Sequence, residues 1–195
     1  SDLVIVVHPD VQARTLAEKW FGDIPSGERY HRSLPAEPAQ AAPHKLEVKA
    51  NVPLDALYKC YHMYARTDKR YYAADLISDI LGGGSSSRLH QVLVKEKKLF
   101  SNIECYHFGS LDAGLLTIEG KLVKGVKMKD AEKAIQAELE KLQQEVISER
   151  ELQKVKNRVE SLLAFEDMSL LNRANNLAFY ELLGDAALMN KEFEK

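Results

Sequence analysis

The sequence has little of what marks a redox, membrane or nucleic-acid-binding protein. It contains two cysteines, Cys60 and Cys105, without CxxC spacing, so they cannot form a metal site by themselves. Each lies in an apolar stretch, which favours buried free thiols over a disulfide. No apolar run is long enough to cross a bilayer, so no membrane span is expected. A net charge of -2 over 195 residues argues against nucleic acid as a partner, because binding it requires a concentrated basic face.

The histidines lack the spacing of a zinc site. Zinc motifs such as HxxEH place two imidazoles one helical turn apart, and no such motif occurs here. His62 falls on a predicted strand and His90 on a predicted short helix, where hydrogen-bonded structural roles are more common than metal ligation. The others are His8, His31, His44 and His107. We therefore predict that this chain has no metal site, binds no zinc tightly and hydrolyses no peptide by itself.

The first 43 residues predict a strand, a helix and a linker. Leu3–Val7 is an apolar, β-branched run typical of a short buried strand. Apolar residues at helical spacing follow from Ala13 to Trp20, with Asp10 as a candidate cap and Gly22 as a stop. Residues 25–43 carry four prolines, which indicates an exposed linker.

From His44 onwards the pattern predicts strands and helices in mixed order. Strands are expected around Leu46–Val48, at 57–65, and as a hairpin at 101–108 and 114–122. A helix with Tyr72, Leu76, Ile77 and Ile80 on one face, capped by Thr67 or Asp68, should end at Gly82, Gly83 and Gly84. Ser85, Ser86 or Ser87 should cap the next, short helix, whose Leu89, Val92 and Leu93 face a core.

The last third predicts three helices. An apolar stripe runs from Met128 to Val146, and Ser148 with Glu151 forms a capping box for the next helix. A further helix runs through Leu171 to Leu182 and ends near Gly184. The order of elements predicts an α+β fold, an antiparallel sheet with helices packed on one face.

The glycine-serine segment Gly82–Arg88 is not a good phosphate loop. It lacks the Lys-Ser/Thr pair that a Walker loop places at the start of its helix, and a helix precedes it rather than a strand. The bare start of a helix can hold an anion, but a turn between two helices with a serine cap is the simpler interpretation. No GxSxG elbow occurs, and from the residues alone no active site is visible.

The stretch Leu81–Ser101, LGGGSSSRLHQVLVKEKKLFS, resembles the signature of the insulinase-like zinc peptidases (family M16, pitrilysin or processing-peptidase type). Members of that family have LGGG-x-SSRL, a short helix, an Arg-Glu-Lys-like segment and Leu-Ala-Tyr-Ser. In this chain the signature loop corresponds to Gly82, Gly83, Gly84, Ser86, Ser87 and Arg88. The runs Val4–Gly27, Asp112–Ile118 and Leu152–Phe165 also resemble the family in order and spacing.

The resemblance implies a domain division and a partner. Residues 1–24 resemble the closing strand and helix of a preceding, zinc-type repeat. Residues 25–43 would be a linker, and 44–195 a second, metal-free repeat that is truncated at its C-terminus. In the family, two such repeats form a clamshell around an extended peptide substrate, and zinc lies in the first, so zinc is expected in the parent enzyme only. Because the opening unit lacks the rest of its repeat, residues 3–21 are expected to dock on the sheet of the second repeat, within one chain or by exchange between two chains.

The resemblance also locates two residues that active members use. An Arg and a Tyr, seven residues apart, reach the substrate from the metal-free repeat of many members. Aligned on the SSRL block, Val94 stands at the Arg position and Ser101 at the Tyr position, and neither can replace the family's side chain. The leading expectation is therefore a peptide-enclosing repeat of a zinc peptidase, and the alternative is a non-catalytic scaffold or partner subunit of the same fold. A third alternative, an unrelated α+β binding module, is made less favourable by the GGG-SSRL block.

Overall fold

The protein is described by a computed structural model that covers residues 12–25, 27, 35, 37–109, 111–166 and 168–194. Its α-helices are α1 (Ala13–Phe21), α2 (Arg70–Gly82), α3 (Met128–Gln144), α4 (Glu149–Glu166) and α5 (Leu170–Leu182). Its strands are β1 (Ala56–Met63), β2 (Phe100–Phe108) and β3 (Gly114–Leu122). A π-helical segment (His90–Glu96) and a 3₁₀ helix (Ala186–Glu194) complete the described elements. None of the described helices is long and apolar enough to span a membrane.

The three strands form an antiparallel sheet in the order β1-β3-β2. The pairs Cys105↔Ile118 and Lys59↔Ile118 put these three residues on one face of the sheet, because directly paired residues share a face. On that face the side chains of Ile103, Cys105 and Ile118 are buried, while their neighbours along the strands point to the other face. The alternation of the predicted strands thus gives one apolar, buried face and one more exposed face, on which Thr117 of the central strand is still buried.

Helices cover the buried face of the sheet. Leu81 at the end of α2 and Ile135 of α3 join the same apolar cluster as Ile103 and Ile118. Leu89 and Leu93, which flank the start of the π-helical segment, are also completely buried, as expected from their spacing. The opposite face carries exposed aromatic side chains, including Tyr58, Tyr106 and Phe108. The predicted α+β fold with helices on one face is therefore confirmed.

The segment Gly82–Arg88, called the glycine segment below, breaks the chain between two helices, as predicted. Helix α2 ends at Gly82, and Gly84 has a φ of +94°, which side-chain-bearing residues rarely adopt. Helical structure resumes at Arg88, just after the three serines. The serine cap, however, is not formed as expected at Ser87, because its hydroxyl donates to the Gly84 carbonyl oxygen at 2.7 Å. The π-helical geometry of His90–Glu96 was not expected from the apolar spacing.

One of the two hydrogen bonds of the predicted capping box at α4 is formed. The Ser148 hydroxyl accepts a hydrogen bond from the Glu151 backbone amide at 3.2 Å, as the motif predicts. The carboxylate of Glu151 does not complete the box, since it binds the guanidinium of Arg88. At the far end of the following helix, Gly184 has the positive φ expected of a helix-terminating glycine.

Three sequence-based expectations are wrong in the described residues. No strand forms at Leu46–Val48; both side chains are exposed, without the sheet neighbour that would make a strand favourable. Val146 lies beyond the end of α3 and is exposed. Cys60 is an exposed free thiol, because it lies on the uncovered face of β1, and only Cys105 is buried. None of the α1 residues is buried. The docking expected of residues 3–21 stays a prediction, because Val4–Val7 lie outside the described residues.

Two further expectations fall outside the described residues. These are the strand Leu3–Val7 and the cap at Asp10. Of the predicted linker, the described residues form no helix or strand and are exposed.

Candidate functional site

An open groove of about 470 Å³ lies between the second half of α2, the glycine segment and strand β2. Asp75, Ser78 and Asp79 line it from α2, and Asn102–His107 line it from β2. Gly82–Ser85 close one end, together with Arg158 from α4. His90 of the π-helical segment also reaches the wall. The groove is therefore assembled from five parts of the chain around the break that the three glycines produce.

Close backbone packing shapes the floor of the groove. A Cβ atom at Gly82 would lie less than 3.0 Å from the backbone nitrogen of Cys105. The end of α2 thus packs directly on β2, and a side chain at this position would push the two apart. This contact gives a physical reason for glycine at the first position of the signature.

Strand β2 borders the groove with its free edge. Among the described strands β3 is central, so β2 is paired on one side only. In an antiparallel strand, alternate residues direct their backbone N–H and C=O groups to opposite sides. The unpaired groups of Asn102–His107 therefore form a row of donors and acceptors along the groove, which is the feature that accepts another extended chain.

The titratable groups of the groove do not form a catalytic set. Desolvation by burial raises the pKa of the Cys105 thiol to about 12, so this cysteine is not an activated nucleophile. Burial also lowers the pKa of His107, whose ring lies tilted against that of Tyr71 with the centroids 4.4 Å apart. Asp79 pairs with Arg158 at 3.3 Å between Oδ1 and Nη1. The groove thus offers backbone hydrogen-bonding groups and charge, without a nucleophile next to a base.

Metal ligands do not converge in the described part of the chain. No group of three or more His, Cys, Asp or Glu side chains there is placed to hold a metal ion. A zinc site requires three or four such ligands, so the described residues do not fit zinc.

The signature arginine is held by a two-point ion pair. Arg88 Nε donates to Glu151 Oε1 at 2.8 Å, and Arg88 Nη2 donates to Glu151 Oε2 at 2.7 Å. Both side chains are only about a fifth exposed, at 19% and 20%. The hydrogen bond to Glu151 raises the pKa of Arg88, and the same bond lowers the pKa of Glu151. Arg88 is therefore fixed by α4 and is not a free cation in the groove.

Two more side chains of α4 contact the glycine segment. Lys154 Nζ donates to the Ser86 carbonyl oxygen at 3.0 Å and to the Ser86 hydroxyl at 3.1 Å. Arg158 Nη1 donates to the Gly83 carbonyl oxygen. Sequence reasoning did not identify Lys154 or Arg158. The spacing of 151, 154 and 158 on one helix face was a usable signal, but the partners are more than 60 positions away in the chain.

The two positions aligned with the family's Arg and Tyr lie elsewhere. Val94 is half-buried and packs against the apolar core. Ser101 is exposed at the start of β2, where a bulge between Phe100 and Asn102 shifts the register, and its hydroxyl donates to the Lys121 carbonyl oxygen at 3.1 Å. Neither residue lines the groove.

Comparisons with known proteins agree on one family. The family model described as "Peptidase M16 inactive domain" matches residues 3–159. The Bacillus subtilis protein YmxG, which is named as a zinc protease, is 27% identical over 166 residues, which make up 85% of this chain and 40% of YmxG.

Solved structures show the same fold. A protease from Helicobacter pylori is 26% identical with a TM-score of 0.64, over 75% of this chain and 34% of that one. A domain from Bordetella parapertussis, named as the inactive peptidase domain of a zinc protease, is 25% identical with a TM-score of 0.63, over 69% of this chain and 71% of that one. The chain spans less than half the length of YmxG and of the Helicobacter protein.

Proposed function

Because the chain belongs to the peptidase M16 inactive-domain family, we propose that it is the metal-free repeat of a zinc metallopeptidase and that it holds peptide substrate along the groove beside β2. The free edge of β2 is the observation that carries this proposal. An extended peptide can add to such an edge through main-chain hydrogen bonds, which do not depend on its sequence. Side-chain contacts with the walls then add selectivity.

The proposal assigns a binding role to the groove and hydrolysis to another repeat. Cys105 is an inert thiol, and the described residues do not fit zinc. Hydrolysis would therefore depend on a zinc-bearing M16 repeat in the same or a paired chain, where zinc lowers the pKa of a bound water. This chain would bind the peptide and orient it towards that repeat.

The division of the chain follows from the same proposal. Residues 1–24 would close a preceding zinc-type repeat, 25–43 would be a linker, and 44–195 would form the metal-free repeat. Helix α1 supports this division, since its Trp20 is 68% exposed and lacks a covering surface in the described part of the chain.

A second candidate is a non-catalytic scaffold or partner subunit of the same fold. Val94 and Ser101 favour it, because the positions of the family's Arg and Tyr are occupied by side chains that cannot contact a transition state in the same way. The scaffold would not need the groove to bind peptide, which separates the two candidates by experiment.

The test is amide hydrogen exchange of the 195-residue chain with and without an unlabelled peptide of alternating valine and serine. Under the peptide-binding proposal, the peptide slows exchange at alternate amides between Asn102 and His107. Strand β1 is the internal control, since it is the other edge strand among those described. Equal exchange with and without peptide, or protection of β1 alone, would overturn the proposal and favour the scaffold.

A groove-filling variant supplies the matched control. Ser85→Trp places a large ring in the groove, where Ser85 is exposed, and should weaken peptide binding roughly tenfold or more, about 1.4 kcal/mol. Ser161→Trp puts the same ring at an exposed site of α4 outside the groove and should leave binding unchanged. Fluorescence anisotropy of a fluorescein-labelled copy of the peptide measures both.

A further inference from the structure

We propose that α4 positions the glycine segment through Glu151, Lys154 and Arg158, and that this contact sets how well the groove holds peptide. The inference rests on the proposed function and names three positioning residues for it. Two of them, Glu151 and Lys154, do not line the groove and contact the segment instead.

The three residues form one stripe on α4. Their spacing of three and four positions places them on the same face of the helix, over a length of roughly 10 Å. Their partners follow in reverse order, since Glu151 contacts Arg88, Lys154 contacts Ser86, and Arg158 contacts Gly83. The helix thus runs antiparallel to the segment and holds it at its start, its middle and its end.

Arg158 also completes the end of α2. The last carbonyl groups of a helix have no partner within the helix, and they form the negative end of its dipole. Helix α2 has no basic residue in its last turn. Arg158 supplies the missing cation from α4, since it donates to the Gly83 carbonyl oxygen and pairs with Asp79.

Glycine at position 83 leaves the space that the Arg158 guanidinium occupies. A Cβ atom at Gly83 would lie less than 3.0 Å from Arg158 Nη1 and from the carbonyl oxygen of Asp79. A side chain there would expel the guanidinium from its place. The small residue of the signature and the distant arginine therefore form one structural unit, although 75 positions separate them.

The same unit forms one wall of the groove. Gly83, Gly84 and Ser85 line the groove, and the segment Gly83–Ser86 carries no side chain larger than serine that could hold it in place by packing. The charged side chains of α4 hold it instead. Loosening them allows the wall to move, which increases the conformational entropy that peptide binding must overcome.

The experiment uses Lys154→Gln and Glu151→Gln in the 195-residue chain, with Lys156→Gln as the control. Lys156 is exposed and points away from the stripe, because two positions correspond to about 200° of helix rotation. Both stripe variants should bind the fluorescein-labelled valine-serine peptide about tenfold more weakly, or about 1.4 kcal/mol, and exchange the Gly83–Ser87 amides faster. Lys156→Gln should match the unmodified chain in both measurements.

A conservative substitution at Lys154 distinguishes a positioning role of this residue from a general loss of stability. Lys154→Arg keeps a cationic donor and should restore most of the binding that Lys154→Gln loses. Circular dichroism and thermal unfolding confirm that each variant is folded. If the unmodified chain binds peptide but both stripe variants bind it equally well, the positioning inference is wrong and the proposed function stands. If the unmodified chain binds no peptide, the proposed function fails. In that case, faster amide exchange of Gly83–Ser87 in the stripe variants, but not in Lys156→Gln, would still establish that α4 holds the segment.

Discussion

Two regions of this chain contain similar apolar residues but use them differently. In the packed region (residues 56–144), the sheet and helices α2 and α3 enclose one core in which Leu81, Ile118 and Ile135 are completely buried. In the N-terminal segment (the described residues from 12 to 50), none of the side chains is buried, and Leu46 is 86% exposed. The difference shows that apolar character alone does not bury a residue, since a complementary surface must be present.

The largest expected difference between the regions is the effect of removing an apolar side chain. Ile118→Ala leaves a cavity in the packed region and should lower the free energy of unfolding by about 2–5 kcal/mol. Val48→Ala, at a residue 74% exposed in the N-terminal segment, should change it by less than ~0.5 kcal/mol. Urea denaturation followed by circular dichroism measures both. Equal effects would mean that the N-terminal segment is packed in solution.

Adding a methyl group should give the next largest difference. Gly82→Ala forces α2 away from Cys105 and should destabilise the protein by about 1–3 kcal/mol. Gly27 of the N-terminal segment has open space around its Cβ position, so Gly27→Ala should be tolerated with little effect. Thermal unfolding of the two variants compares the same chemical change in the two regions, and a stable Gly82→Ala protein would contradict the close packing of α2 on β2.

The pH dependence of stability should report on His107, a partly buried histidine of the packed region. Burial lowers the pKa of His107 below its ordinary value of 6.5, an effect opposed by nearby Asp75 and reinforced by Arg66. The unfolded chain therefore binds a proton more readily at this residue. Its contribution to stability is present above pH 6.5 and is lost as the pH falls from 6.5 towards the lowered pKa.

His107→Gln should remove that part of the pH dependence, whose slope cannot exceed about 1.4 kcal/mol per pH unit for one proton. The variant His44→Gln makes the same exchange at an exposed residue of the N-terminal segment and serves as the substitution control. Denaturation midpoints collected from pH 5 to 8 provide the measurement, at about half-unit steps. A profile that is the same in His107→Gln and the unmodified protein would show that another group carries the dependence.

The smallest effect is expected at an ion pair that joins the regions. Lys45 Nζ lies 3.7 Å from Glu132 Oε2 of α3, with the two side chains 74% and 40% exposed. Exposed pairs contribute about 0–1 kcal/mol, because water and salt screen them. A double-mutant cycle with Lys45→Ala and Glu132→Ala should give a coupling energy in this range that shrinks at high salt. A larger, salt-independent coupling would mean that the N-terminal segment docks on α3.

Sequence reasoning succeeded where the signal is local. The hairpin of β2 and β3, the break after Gly82 and the serine at the start of α4 follow from turn chemistry and periodicity over a few residues. It failed where a neighbour decides the outcome. The strand expected at Leu46–Val48 has the right alternation but no paired strand, and Cys60 has apolar neighbours in sequence but lies on the uncovered face of the sheet.

In the candidate site, too, the sequence revealed the local motif but not the contacts with distant residues. The signature Gly82–Arg88 was identified from the sequence, and its glycines lie at the groove. The motif did not reveal that Arg88 would be held by Glu151, or that Lys154 and Arg158 would contact the segment. The sequence marks Glu151 as a capping residue, but its carboxylate binds the Arg88 guanidinium instead of a backbone amide. Hydrogen bonds between charged groups are roughly twice as strong as neutral ones.

By itself, the sequence determined most helices and strands from residue 56 onwards, the glycine break and the family, because these depend on periodicity, backbone conformation and a contiguous motif. Only the tertiary structure decided which strand edge borders a groove, which cysteine is inert and which side chains of α4 hold the glycine segment. Each of these depends on residues brought together from distant positions, such as Gly83 and Arg158. No local pattern records such a contact, because the free energy that forms it comes from packing and desolvation in the folded chain.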